Sequence, residues 1–192
     1  FILETTHTTA SGVVRVTDFM PIRDQAADIV RIVEGVSGTV PMTFDLAIRF
    51  DYGQVAPWMR RMDGTRLAIA GPDAISLRAP VALRGHDLTT VAEFDVAMGE
   101  RLDFVLTWYP SHVEPPPPIN VDAALERTAG FWQEWSERCD LDGGSAAMIR
   151  RSLLVLKALT YGPTGGIVAA PTTSLPEWLG SVRNWDYRYC WL

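Results

Sequence analysis

The sequence has few of the residues that build covalent or metal-centred scaffolds. Its 192 residues include two cysteines and three histidines, and neither type shows the spacing of metal ligands. Two cysteines are too few for a disulfide scaffold, so Cys139 and Cys190 are expected to be buried or half-buried thiols. We predict neither a metal nor a cofactor.

Excess positive charge and long apolar runs are also missing. A net charge of −6 argues against a broad phosphate-binding surface, so a nucleic-acid partner is not expected. No apolar run approaches the length of a membrane span, so a membrane partner is not expected either. The chain opens without Met and without the regions of a signal peptide. We therefore expect a cytoplasmic segment of a longer protein, cut at both ends.

Residues 1 to about 110 have the pattern of β-structure. Between positions 40 and 50, apolar side chains occupy every second position, which is typical of an antiparallel sheet with one packed face and one wet face. No helical pattern intervenes, so a β-sandwich is predicted. The predicted strands are 2–8, 13–19, 28–36, 40–50, 58–62, 65–70, 88–98 and 102–109.

Turn residues separate these strands. Asp63-Gly64 predicts a tight type I′ hairpin. Further turns are predicted at Ser37-Gly38, Gly71-Pro72, Arg84-Gly85 and Gly99-Glu100.

The pattern changes at the run of four prolines that follows Glu114. Consecutive prolines hold a stiff extended form and cannot pair within a sheet, so residues 114–120 are predicted to be a linker. Asn120 or Asp122 can then cap a helix that runs to about Arg138.

A second helix is predicted over 146–161, with Ser145 as its cap and Gly162-Pro163 as its end. It is apolar around most of its circumference, and such a helix is normally buried. Burying it takes more helices than this chain supplies.

The last thirty-two residues combine turn residues with a dense aromatic and charged cluster. Aromatic faces beside fixed charges suit a polar ring such as a sugar, because the rings cover C–H faces and the charges bind hydroxyls. Two runs stand out in the sequence. They are Pro-Thr-Gly-Gly-Ile-Val-Ala-Ala-Pro-Thr-Thr-Ser-Leu-Pro-Glu and Val-Arg-Asn-Trp-Asp-Tyr-Arg-Tyr-Cys-Trp-Leu.

Together these runs closely resemble bacterial glucoamylase and trehalase-like members of glycoside hydrolase family 15. The resemblance implies an α+β chain of two domains: an antiparallel β-sandwich over 1–113, then, after the linker, a linker helix and the first part of an (α/α)6 toroid over 121–192. It implies hydrolysis of a terminal α-glucosidic bond with inversion, by a general acid/base pair of glutamates. The resemblance does not decide between trehalose and α-glucan ends as the substrate. It is also compatible with a homo-oligomer.

The resemblance also implies roles for aromatic residues. Tyr187, Tyr189 and Trp191 match positions that line the pit around the terminal sugar, whereas Trp185 is expected to be a packing residue.

Charged residues of the same segment have two open interpretations. Arg183, Asp186 and Arg188 either bind sugar hydroxyls or brace the loop by pairing with one another. Glu177 and Asp186 are not taken as the catalytic pair, because the family's glutamates lie further along the chain. No catalytic residue is therefore predicted here. The alternative function is a non-catalytic carbohydrate-binding or structural β-sandwich, which would account for Trp58, Trp108 and Tyr109.

Overall fold

The computed structural model describes residues 1–172, 178–182, 184–185 and 188–190. The chain divides into two compact units, Phe1–Phe131 and Trp132–Leu192, which are considered separately below.

The described residues form nine strands and two helices. The strands are β1 (Ile2–Thr9), β2 (Gly12–Phe19), β3 (Ala27–Leu46), β4 (Trp58–Met62), β5 (Thr65–Ala70), β6 (Asp73–Arg78), β7 (Arg84–His86), β8 (Thr89–Ala97) and β9 (Arg101–Pro110). The helices are α1 (Val121–Glu137) and α2 (Ala146–Ala158).

All strand pairs are antiparallel, and β3 takes part in two sheets. The large sheet has the order β1-β2-β3-β9-β6-β5-β4. The first half of β3 pairs with β2 and β9 in this sheet, whereas its second half pairs with β8. β8 in turn pairs with β7, which completes the small sheet. The predicted antiparallel β-structure followed by helices is confirmed.

The first apolar core lies between the two sheets. Phe104 of the large sheet stacks on Phe44 of the small sheet, with ring centroids 5.4 Å apart and planes at 13°. Alternation of side chains along each strand sends these residues to the same side. The buried members are Val14, Val16, Val33, Val40, Val96, Leu102 and Phe104.

A second apolar core lies on the opposite face of the large sheet, where the first half of α1 packs. Its buried members are Phe19, Val30, Ile32, Val105 and Ala124. The helix begins where Asn120 Oδ1 accepts a hydrogen bond from the Ala123 N–H at 3.0 Å, so the predicted cap is confirmed.

The proline run follows the sheet before α1 begins. Arg78 Nη2 on β6 donates a hydrogen bond to the Pro116 carbonyl at 2.6 Å. Because a proline run is stiff, this contact fixes its course over β6.

Several predicted boundaries are wrong. Residues 37 and 38 continue β3, since their backbone still pairs with β2. β3 ends at Leu46, and Phe50 forms only an isolated bridge to Val55. Arg84 and Gly85 are paired in β7 rather than forming a turn.

Strand β6 and the state of one thiol also depart from expectation. β6 was not predicted, although the turn before it was. Cys139 is half-buried as expected, but Cys190 is exposed. The backbone of Cys190 forms an isolated bridge with Val168.

Helix α2 of the second unit is exposed, in keeping with the expectation that burying it takes more helices than this chain supplies. None of its residues is buried, and the described part of the unit covers its apolar side chains only in part. Those more than one-third exposed are Met148, Ile149, Val155 and Leu156. Ser145 occupies the cap position without a side-chain hydrogen bond, and the helix ends at Ala158 rather than 161.

Candidate functional site

The candidate site is the loop that follows α2. Directly after the helix the chain reverses through a compact turn. The Tyr161 N–H donates to the Gly166 carbonyl at 2.8 Å, and the Gly165 N–H donates back to the Tyr161 carbonyl at 2.8 Å. Gly165 has a φ of 75°, which a side chain at this position would disfavour. Gly165 therefore allows the chain to reverse at this point.

The turn brings three pieces of backbone side by side. The Val168 N–H donates to the Leu159 carbonyl at 3.0 Å, and the Ala169 N–H donates to the Tyr189 carbonyl at 3.2 Å. Val168 also forms a bridge with Cys190. The end of the helix, the segment after the glycines and the aromatic run are thus held together through main-chain bonds.

Asn184 fixes a second turn of the loop, and this role was not predicted. Its Nδ2 donates to the carbonyls of Trp178 and Ser181, both at 2.9 Å. Its Oδ1 accepts from the Trp178 N–H at 3.1 Å. A side-chain amide can replace backbone partners in this way. The turn residues around Asn184 were the sequence signal for a local bracing role.

Two of the predicted sugar-binding residues lie within the described part of the chain. Tyr189 is exposed over 70% of its surface, and Arg188 is also exposed and has an interaction partner. The others, Tyr187, Trp191, Arg183 and Asp186, lie outside the described residues, as does Glu177.

Trp185 does not have the packing role that we expected. It is 64% exposed, and Trp178 is similarly exposed at 65%. With Tyr189, the loop therefore presents three aromatic faces to solvent. Exposed aromatic faces of this kind can cover the apolar side of a ligand.

The aromatic residues of the sheet fit a ligand platform less well. Tyr109 is buried, and burial raises the pKa of its phenol. The Trp108 indole donates to Asp73 at 2.9 Å, and the Arg23 guanidinium carbon lies 5.9 Å from the centre of its ring. Only Trp58, of the three that were considered, is largely exposed, at 66%.

The described residues contain no group of three or more His, Cys, Asp or Glu arranged to hold a metal ion. No helix among them is long and apolar enough to cross a membrane.

Comparison with known proteins places this loop in a family. The model for "Glycosyl hydrolases family 15" matches residues 143–192. A trehalase from Mycolicibacterium smegmatis is 34% identical over 177 residues, covering 85% of this chain and 26% of that protein. The chain belongs to glycoside hydrolase family 15. Another relative is a trehalase from Thermoplasma acidophilum, which is 30% identical over 184 residues; the match covers 94% of this chain and 32% of that protein.

A shorter stretch is more strongly similar to a further relative. Trehalase 2 from Sulfolobus acidocaldarius is 62% identical over 42 residues, which is 22% of this chain and 7% of that protein. The chain spans about a third of the length of the first relatives it matches.

Proposed function

We propose that this chain is part of a glycoside hydrolase that cleaves terminal α-glucosidic bonds, with trehalose as the first substrate to test. The observation that carries the proposal is similarity along most of the chain to proteins named trehalase. The family match at residues 143–192 covers the loop with the exposed aromatic faces.

Within such an enzyme, the loop after α2 would form one wall of the sugar pit. Tyr187, Tyr189 and Trp191 would cover the C–H faces of the terminal glucose. Arg183, Asp186 and Arg188 would bind hydroxyls or hold the loop, and these two roles stay open. The exposure of Tyr189 supports a contact with a ligand.

The exposed helix α2 supports the proposed domain division. We propose a β-sandwich over 1–113, a linker over 114–120 and the beginning of an (α/α)6 catalytic domain over 121–192. Later helices of that domain would cover the apolar side chains of α2. A cytoplasmic location and a homo-oligomer stay predictions.

The chemistry requires two carboxyl groups on opposite sides of the scissile bond. In an inverting enzyme they stand roughly 6.5–9.5 Å apart, so that one protonates the leaving oxygen while the other activates a water. We propose that both are glutamates outside residues 1–192. The 192-residue chain alone should therefore release no glucose from trehalose or maltose.

The role of the loop is tested in the parent enzyme with a Tyr189→Ala substitution. Loss of an aromatic contact should lower kcat/KM for trehalose by about tenfold, which corresponds to roughly 1.4 kcal/mol. Tyr52→Ala is the matched control, since Tyr52 is equally exposed, at 71%, but lies on the first unit. Equal kinetics for the two variants would remove Tyr189 from the proposed pit.

A non-catalytic carbohydrate-binding module is the second candidate, and the exposed Trp58 favours it. Saturable sugar binding that depends on Trp58, together with an absence of hydrolysis by the parent protein, would support this candidate over the enzyme.

A further inference from the structure

A cavity of about 240 Å³ lies in the first unit, on the face of the large sheet that carries α1. The connection between β2 and β3, the proline run and the first turns of α1 surround it. Asp28 of β3 and Thr107 of β9 line it from the sheet. Since one water occupies about 30 Å³ in the liquid, the cavity has room for a small molecule.

Asp28 is a buried carboxylate with an incomplete set of partners. It is only 8% exposed. The Thr107 hydroxyl donates to its Oδ1 at 2.5 Å. Among the described residues, the fully enclosed side-chain atoms without a partner are Ser76 Oγ and Arg78 Nη1. Oδ2 of Asp28 has no hydrogen bond among the described residues. Because it is not one of these fully enclosed atoms, it must face open space.

No cation of the described chain lies within ion-pair distance of Asp28. The wall formed by Pro116, Pro117 and Pro118 cannot donate a backbone hydrogen bond to the Asp28 carboxylate, because proline has no N–H. A buried charge without a partner is costly, so the cavity favours a positive group next to Oδ2.

The other charges that line the cavity are Asp24 and Arg127, both exposed. Within the described part of the chain, neither takes part in an ion pair. The guanidinium of Arg127 is therefore available to an anionic group, to which it can donate two parallel hydrogen bonds. The cavity thus combines a buried negative group with an exposed positive one.

We propose that this cavity binds a small zwitterion of the free amino-acid class, with its ammonium group at Asp28 and its carboxylate at Arg127. The apolar walls contributed by the prolines and Ala124 accept the methylene groups between the two charges. This site is independent of the loop after α2 and does not require glycosidase activity.

The test is an NMR titration of the full 192-residue chain at constant ionic strength. The probes are glycine, β-alanine and γ-aminobutyrate, whose charges are increasingly far apart, with methylammonium and acetate as single-charge controls. Saturable amide shifts are expected at Ala26 and Ala124 for at least one zwitterion, with a dissociation constant at least tenfold lower than that of methylammonium. No saturable shift, or a zwitterion that binds no more tightly than methylammonium, would overturn the proposal.

Two variants separate the contributions of the charges. Asp28→Asn should abolish binding of both the zwitterion and methylammonium. Arg127→Gln should lower the affinity for the zwitterion to that for methylammonium. The affinity for methylammonium itself should not change. Arg138→Gln makes the same charge change at a residue that does not line the cavity, and it should bind like the unchanged protein. If Arg127→Gln and Arg138→Gln behave alike, the proposed carboxylate contact is wrong. This comparison remains informative if Asp28→Asn fails to fold.

Discussion

Substitution of Phe104 measures how much the packing between the two sheets contributes to stability. It is only 4% exposed. Its ring centroid lies 5.4 Å from that of Phe44 and 5.8 Å from that of Phe94. Phe104→Ala removes a nearly fully buried aromatic ring from a close-packed core. Such changes lower the free energy of unfolding by about 3–5 kcal/mol.

Part of that cost belongs to the pair across the sheets. Stacked aromatic pairs contribute about 0.5–1.5 kcal/mol beyond their buried area. A double-mutant cycle with Phe44→Ala should therefore give a coupling free energy of this size. Single and double variants are compared by urea unfolding, with the slope against urea concentration checked for constancy.

Leu3→Ala is the surface control. Leu3 is 62% exposed, so its truncation should change stability by no more than about 0.5 kcal/mol. If Phe104→Ala proves too unstable to study, Phe104→Leu keeps most of the buried volume and should lose less. A loss below about 1 kcal/mol for Phe104→Ala, or zero coupling with Phe44, would refute the packing of the two sheets described above.

Three further predictions concern the sheet and α1. Thr107→Val deprives the buried carboxylate of Asp28 of its hydrogen-bond donor, and urea unfolding should show a loss of about 1.5–3 kcal/mol. Gly35→Ala would place a methyl carbon 1.9 Å from a carbonyl oxygen of β8. The melting temperature of this variant should therefore be several degrees lower than that of the unchanged protein. The matched change Gly130→Ala meets nothing within 4 Å and should stabilise α1 by up to about 1 kcal/mol; equal effects of the two would contradict the close approach. Burial raises the pKa of Tyr109 above that of an unfolded tyrosine. The contribution of Tyr109 to the free energy of unfolding is therefore complete below about pH 10, and it is lost as pH rises further because the unfolded state ionises first. Tyr109→Phe should reduce this alkaline loss in unfolding measurements across pH 8–12, and an unchanged pH profile would contradict it.

The sequence predicts those parts of the fold in which local chemistry and tertiary structure agree. Alternation of apolar residues predicts most strands. Asp63 and Gly64 both adopt positive φ, 47° and 79°, as the predicted hairpin between β4 and β5 requires. Asn120 caps α1 because its side chain can reach a free N–H of the first turn.

Other features depend on partners that are distant in the sequence. β7 contains no apolar residue, and its backbone pairing with β8 therefore leaves no periodic signal. β3 runs through Gly38 because β2 continues to pair with it there. These pairings become visible only when the strands are placed together.

The candidate site was predictable in location but not in detail. The density of aromatic and turn residues indicates the loop after α2, and the glycine pair indicates its first reversal. The clamp formed by Asn184 depends on the position of Trp178 six residues earlier, which composition does not specify. Whether α2 is covered depends on elements other than its own residues.

Hydrolysis of trehalose by the parent protein tests the central claim most directly. Purified enzyme is mixed with trehalose, and the anomers of glucose are followed by ¹H NMR before they equilibrate. Inversion at one glucosyl carbon predicts equal initial amounts of β- and α-glucose, because the leaving sugar keeps its configuration. Initial release of α-glucose alone would contradict inversion, and no release from trehalose or maltose would contradict the proposed glycosidase.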